Sequence, residues 1–94
     1  MTKSIISNER ECWVCNTSYG LHKHHIIYGS ANRKQSEKYG LWVYLCGKHH
    51  NLSDEGVHFN KDLDTSLKQL AQERFEAYLG TREDFRAIFG KSYI

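Results

Sequence analysis

The cysteine and histidine residues of this chain are concentrated in one region. All three cysteines and all six histidines of the 94 residues lie between positions 12 and 58. An odd number of cysteines fits a disulfide framework poorly. A chain of this length also buries too little surface for its hydrophobic core alone to provide much stability. We therefore expect reduced cysteines and a bound metal ion that stabilises the fold.

The first metal-binding pattern consists of two close pairs of ligand residues. Cys12 and Cys15 form a Cys-x2-Cys pair, and Cys46 and His49 form a second pair with the same spacing after 30 intervening residues. Two such pairs meet the requirement of a tetrahedral Cys3His zinc site, which contributes folding energy rather than chemistry. His50 is an alternative fourth ligand, so the sequence leaves this position open between His49 and His50.

The second pattern is a set of histidines interleaved with the zinc ligands: His24, His25, His50 and His58. Closing the zinc site brings the segments that carry His24 and His50 close together. Neighbouring residues of a strand point to opposite faces, so His24 and His25 are not expected to face the same ion. His22 shares a face with His24 and is a competing candidate ligand, although we expect it to pack or to contact phosphate.

The sequence predicts a single small α+β domain over residues 1–94. Residues 12–58 form its metal-binding part and residues 61–94 its helical cover. Strands are predicted over Leu21–Tyr28 and Leu41–Leu45, joined by a polar loop with a turn or two of helix around Arg33–Tyr39. A short helix is expected to begin at His49 and to end before Gly56.

Two helices are predicted in the C-terminal part of the chain. Apolar residues recur at intervals of three and four from Leu63 to Tyr78, and Asp62 or Asp64 is expected to cap this helix. Residues Thr81–Asp84 resemble a capping box with Asp in place of Glu, and Gly90 is expected to end the helix that they begin.

Charge and hydropathy limit the classes of function. The formal net charge of +2 permits phosphate binding without requiring it, and the local basic cluster of Arg33, Lys34 and Lys38 is the candidate nucleic-acid contact. The longest apolar run, Leu41–Cys46, is far shorter than a membrane span, and no signal peptide is recognisable, so we expect a cytoplasmic protein without a membrane partner. The motifs of zinc deaminases and of His-Glu-x-x-His proteases are absent.

The order of these motifs resembles a known nuclease family. Cys-x2-Cys, His-His-Ile at 24–26 and Leu-Cys-x2-His-His at 45–50 resemble the zinc-knuckle-supported branch of the HNH, or ββα-metal, endonucleases over residues 12–58. Residues 25–46, with Gly-Val-His-Phe at 56–59 and Phe-Gly-Lys-Ser-Tyr at 89–93, also resemble phage-encoded HNH proteins, among them the recombination-enhancement, RecA-dependent nuclease family. The resemblance implies a ββα-metal core and a metal-dependent DNA endonuclease or nickase.

The resemblance also implies roles for individual residues. His24, His50 and His58 would hold the catalytic metal, and His25 would be the general base that takes a proton from the attacking water. The second ring nitrogen of His25 is expected to donate to a backbone carbonyl. Three imidazoles suit Zn²⁺, Ni²⁺, Co²⁺ or Mn²⁺ better than Mg²⁺, although Mg²⁺ or Mn²⁺ is also expected to support turnover.

The chain departs from the family pattern at one position. Many HNH proteins have an asparagine in the segment that corresponds to Leu41–Cys46, where this chain has none, and Asn32 and Asn51 are candidate replacements. The partners implied are DNA, a recombinase filament or another phage or host DNA-processing protein in the bacterial cytoplasm, and a second copy of the chain. The alternative function is a non-catalytic, zinc-stabilised nucleic-acid-binding or adaptor module, in which the histidine pairs are structural or bind a second zinc.

Overall fold

The computed structural model describes residues 3–50 and 56–94, which form a small α+β fold, as predicted. The elements of these ranges are, in chain order, β1 (Leu21–His25), α1 (Ser30–Tyr39), β2 (Trp42–Cys46), α2 (Gly47–His50), α3 (Lys61–Tyr78) and α4 (Arg82–Phe89). The strands β1 and β2 pair antiparallel in a two-stranded sheet. Residues 51–54, over which the sequence predicts that the helix begun at His49 continues, lie outside the described residues.

The first strand is shorter than predicted and ends at His25. After β1, the backbone N–H and carbonyl of Ile27 form hydrogen bonds with α1 rather than with β2. Its N–H donates to Ser36 Oγ at 3.2 Å, and the same hydroxyl donates to the Ile27 carbonyl at 2.7 Å. Because Ile27 is buried and its backbone groups are satisfied by a helix side chain, the pairing with β2 stops before it.

The polar segment between the strands forms a complete helix of ten residues, so the prediction of a loop with a turn or two of helix was wrong. The sequence gives little sign of it, because Ser36 is the buried residue of α1 and no apolar stripe marks its inner face. Gly40 ends α1 in the left-handed conformation, where a Cβ atom would collide with the Lys3 carbonyl oxygen. The glycine stop at its C-terminal end and its packing against the rest of the chain, rather than an apolar stripe, therefore determine the extent of α1.

The long helix α3 begins at a different cap from the one predicted. Asn60 Oδ1 accepts the hydrogen bond of the Leu63 N–H at 3.1 Å, whereas Asp62 and Asp64 lie inside the first turn. An N-cap residue must have a non-helical backbone, and Asn60 has one. The two carboxylates instead interact favourably with the positive end of the helix dipole.

The capping box of α4 is confirmed. The Asp84 N–H donates to Thr81 Oγ1 at 3.1 Å, and the Thr81 N–H donates to Asp84 Oδ2 at 2.9 Å. Gly90 ends the helix with a positive φ of 90°, as expected for a glycine stop.

The strands and the C-terminal helices share one hydrophobic core. The buried residues of this cluster come from the segment before β1, from the sheet and its flanks, and from α3 and α4: Cys12, Ile26, Ile27, Leu41, Val43, Leu45, Cys46, Val57, Leu67, Ala71, Phe75, Phe85 and Phe89. Within the described ranges, no helix combines the length and the apolar composition needed to cross a bilayer. The C-terminal helices α3 and α4 pack on the same core as the sheet.

Candidate metal centres

The four predicted zinc ligands come together at the end of the sheet. Ligand atoms of Cys12, Cys15, Cys46 and His49 all lie within 4.8 Å of one another. Cys12 and Cys15 lie on a turn in which the Asn16 N–H donates to the Cys12 carbonyl. Hydrogen bonds fix this turn to β2, since the Trp13 N–H donates to the Tyr44 carbonyl at 2.9 Å. Cys46 ends β2 and His49 follows on α2.

The distances between these atoms suit a shared tetrahedral ion. Ordinary zinc bond lengths place two sulfur ligands about 3.8 Å apart and a sulfur and a nitrogen ligand about 3.6 Å apart. Cys15 Sγ lies 3.7 Å from Cys46 Sγ, and His49 Nδ1 lies 3.7 Å from Cys12 Sγ and 3.3 Å from Cys46 Sγ. The cluster is therefore compatible with a zinc site whose fourth ligand is His49, the choice that the sequence left open.

The cysteine environments differ in their effect on ionisation. Burial raises the pKa of the Cys12 thiol, but hydrogen bonds from the backbone of Cys46, Cys15 and Val14 outweigh it and lower this pKa to about 6. Burial raises the pKa of Cys46, and the neighbouring thiols of Cys15 and Cys12 add to that effect. Cys12 is thus prepared as a thiolate before any metal binds, which favours metal capture at neutral pH.

The imidazoles of His24, His50 and His58 form a second group, with ligand atoms within 4.8 Å of one another. His24 lies on β1 and His50 ends α2. The chain then returns to the same place, because the Val57 N–H donates to the His49 carbonyl and the His58 N–H to the His50 carbonyl. This group of three is called the imidazole cluster below.

The imidazole cluster passes a similar test of fit to a metal ion. Two imidazole nitrogens bound to one tetrahedral ion lie about 3.4 Å apart, and His50 Nε2 lies 3.3 Å from His58 Nε2. Among the described residues, the buried Nε2 of His24 has no hydrogen-bond partner. A buried nitrogen without a partner costs free energy unless another group satisfies it, and an ion shared with His50 and His58 would do so.

Two members of the cluster are held neutral. Burial, with smaller contributions from the charges of His50 and His58, lowers the pKa of His24 to about 3. Burial likewise lowers the pKa of His50 to about 4, with His58 and His22 adding to the effect. At neutral pH both imidazoles therefore present a lone pair, which is the form that binds metal.

His22 packs against the imidazole cluster through the ring of His50. Its Nδ1 lies 2.9 Å from His50 Nδ1, and no phosphate role is needed to account for its position. This hydrogen bond occupies the second nitrogen of His50 and leaves Nε2 for a metal ion. The contact with His22 thus fixes the orientation of the His50 ring.

His25 faces away from the imidazole cluster, as the alternation of the strand requires. Its Nε2 lies 2.9 Å from Glu37 Oε1 on α1, so the expected backbone carbonyl partner was wrong for this nitrogen. The same oxygen accepts from Lys23 Nζ at 3.0 Å, and that ammonium lies 4.2 Å from the centre of the Trp42 ring. A carboxylate, fixed in turn by a lysine, therefore sets the orientation of His25.

His25 and the imidazole cluster nevertheless line the same cavity. This cavity of about 220 Å³ is also lined by Lys23, Tyr28 and Arg33. Of the three basic residues predicted to contact nucleic acid, Arg33 lines this cavity and a neighbouring one beside His25, and Lys34 lines the neighbouring one. Lys38 lines neither cavity; its Nζ lies 5.4 Å from the centre of the Tyr39 ring.

Of the two candidate replacements for the family's asparagine, the structure describes Asn32. Asn32 Nδ2 donates to the Phe89 carbonyl at 3.3 Å and so links α1 to α4. Asn51 lies outside the described residues. Glu37, which the sequence analysis did not select, is the residue that braces His25. Its spacing of four from Arg33, within the turn or two of helix predicted around Arg33–Tyr39, places both residues on one helix face and was the available signal.

Comparisons of the sequence with protein-family models and with curated proteins, and of the fold with solved structures, found no match.

Proposed function

We propose that this chain is a metal-dependent DNA endonuclease or nickase that hydrolyses phosphodiester bonds. One observation carries the proposal: three imidazoles suited to share an ion and a fourth imidazole held by a carboxylate line the same open cavity. Three protein ligands leave a coordination position for substrate, in contrast to a closed structural site. The order of β1, β2 and α2, with α1 inserted between the strands, supports a ββα-metal core of the HNH type.

In this proposal His25 is the general base. Because its Nε2 donates to the Glu37 carboxylate, Nδ1 is the unprotonated nitrogen that takes the proton from the attacking water. Lys23 keeps the carboxylate in place by donating to the same oxygen. A base positioned in this way contributes roughly 10²- to 10⁴-fold to the rate.

The ligand set determines which ions are expected. A divalent ion bound by His24, His50 and His58 would supply a Lewis acid for the scissile phosphate. Within the described residues this cluster contains no carboxylate, so we expect Zn²⁺, Ni²⁺, Co²⁺ or Mn²⁺ to bind more tightly than Mg²⁺. The Cys3His cluster holds a structural Zn²⁺ in the same proposal.

Arg33 is the best-placed phosphate contact. It lines the cavities on both sides of His25, and a guanidinium can bind phosphate oxygens in a bidentate manner. Lys34, next to it on α1, adds positive charge to the second cavity. Dependence on a recombinase filament, pairing of two copies and cytoplasmic location remain predictions of the sequence.

The test is nicking of supercoiled plasmid by metal-free protein resupplied with defined divalent ions. We expect cleavage that requires a divalent ion, and a rate at least about 100-fold lower for His25→Ala with both metals still bound. Arg86→Ala, an exposed substitution outside both cavities, is the control and should cleave like the unmodified protein.

Two results would contradict the proposal. Cleavage without any divalent ion would exclude the role of the imidazole cluster, and full activity of His25→Ala would exclude this base. A protein that binds DNA and two metal ions but cleaves with none of the ions would be a zinc-stabilised nucleic-acid-binding module instead.

A further inference from the structure

A second basic and aromatic surface adjoins the cavity on the side of α3. Tyr28 lines the cavity, and its ring centre lies 5.2 Å from that of His58. Lys68 Nζ lies 4.3 Å from the centre of the same ring. One aromatic side chain, 39% exposed, therefore contacts both Lys68 and the imidazole cluster.

The alternation of cation and ring continues beyond Lys68. Its Nζ lies 5.3 Å from the centre of the Tyr93 ring, and Lys91 Nζ lies 5.0 Å from the same centre. These residues and Lys61 line a cavity of about 500 Å³ between α3 and the C-terminal segment. Asp64, the acidic side chain in this lining, is bound by Lys68 at 2.9 Å. The exposed Lys61 and Lys91 therefore dominate the charge of this surface.

A buried side chain, Gln72, holds the C-terminal segment that forms one side of this surface. The Tyr93 N–H donates to Oε1 of the buried Gln72 at 2.7 Å, and Gln72 Nε2 donates to Ser92 Oγ at 2.9 Å. One turn earlier on α3, Gln69 Nε2 donates to the Tyr93 carbonyl at 3.1 Å. Lys91 and Tyr93 are thus preorganised, which reduces the entropy lost when a ligand binds.

We propose that this surface is a second contact for the nucleic acid: a strand held at the imidazole cluster continues past Tyr28 and Lys68, and Lys61 and Lys91 contact its phosphates. The inference rests on the proposed function. Spaced lysines interleaved with aromatic rings suit a chain of phosphates and bases, whereas a single small anion is bound best by cations that converge on one point. The two basic surfaces, Arg33 with Lys34 and Lys61 with Lys91, then flank the imidazole cluster.

The experiment measures binding separately from cleavage. The double variant Lys61→Gln/Lys91→Gln is made in a His25→Ala background, and the affinity for a fluorescent single-stranded 20-mer and its duplex is followed by anisotropy across a salt series. The control, Lys3→Gln/Arg86→Gln in the same background, removes two exposed positive charges that line none of these cavities. We expect the slope of log K against log salt to become shallower by about 1.4 for the single strand, with weaker binding at low salt.

The outcomes separate this inference from the proposed function. An affinity and salt slope equal to those of the control would overturn the second contact, even if the unmodified protein cleaves DNA. A shallower salt slope in Lys61→Gln/Lys91→Gln but not in the control would support the contact. This holds even if no divalent ion yields cleavage, a result that would contradict only the catalytic proposal.

Discussion

The two groups of metal-ligating residues are neighbours in sequence but differ in construction. The Cys3His cluster offers four ligands, with Cys12 and Cys46 buried and the knuckle turn hydrogen bonded to β2. The imidazole cluster offers three ligands and opens into a cavity that another histidine also lines. The first arrangement can complete the coordination of an ion by itself, and the second leaves a position for a substrate.

Adjacent residues contribute to different clusters because of the short helix α2. His49 belongs to the Cys3His cluster and His50 to the imidazole cluster. Successive residues of a helix point about 100° apart, so one turn directs the two imidazoles to separate centres. The same separation occurs on β1, where the strand directs His24 and His25 to opposite faces. Backbone geometry thus directs histidines that are adjacent in sequence into different environments.

The largest expected difference between the clusters concerns folding. Cys46→Ser should leave the protein largely unfolded at 25 °C, because structural zinc sites contribute roughly 10 kcal/mol or more to folding in small domains. His58→Ala, which removes a ligand of the imidazole cluster, should stay folded. Thermal denaturation and elemental analysis of bound zinc measure both. Equal melting temperatures for Cys46→Ser and the unmodified protein would show that the first cluster is not structural.

The second prediction compares the adjacent histidines directly. His49→Ala should lower zinc content and thermal stability, whereas His50→Ala should lose the second metal and at least about 100-fold in cleavage rate with little loss of stability. The two variants differ from the protein by the same change at consecutive positions, so each serves as the control for the other. Identical effects of both substitutions would mean that the two clusters act as one site.

We expect the smallest effect from substitution of Glu37, which belongs to neither the Cys3His cluster nor the imidazole cluster. Glu37→Ala should lower kcat by roughly 10- to 100-fold with KM, metal content and melting temperature nearly unchanged, because only the orientation of His25 is lost. Glu37→Gln keeps an oxygen that can accept from His25 and should recover part of the rate. A loss confined to KM, or a loss of bound metal, would contradict a role in positioning the base.

The sequence was informative where function depends on residue type and spacing. The pairs Cys12-x2-Cys15 and Cys46-x2-His49 predicted the members of the first cluster, and the capping box at Thr81–Asp84 was confirmed. These features are local, since a knuckle or a cap is made by residues within one turn of each other.

The sequence was uninformative where polar contacts join distant segments. Helix α1 is largely polar, so no periodicity predicts its full length, and the sequence alone cannot match Glu37 to His25. The same limitation hid the contact between His22 and His50, which are 28 residues apart.

By itself, then, the sequence determined which ligand types are present, how they are paired, and that they interleave. Only the tertiary structure decided that His49 and not His50 joins the three cysteines, that His50 and His58 meet the buried His24, and that a carboxylate orients His25. The physical reason is that ligand chemistry is a property of single residues. The direction of each side chain depends on the backbone that carries it and on the segments packed against it.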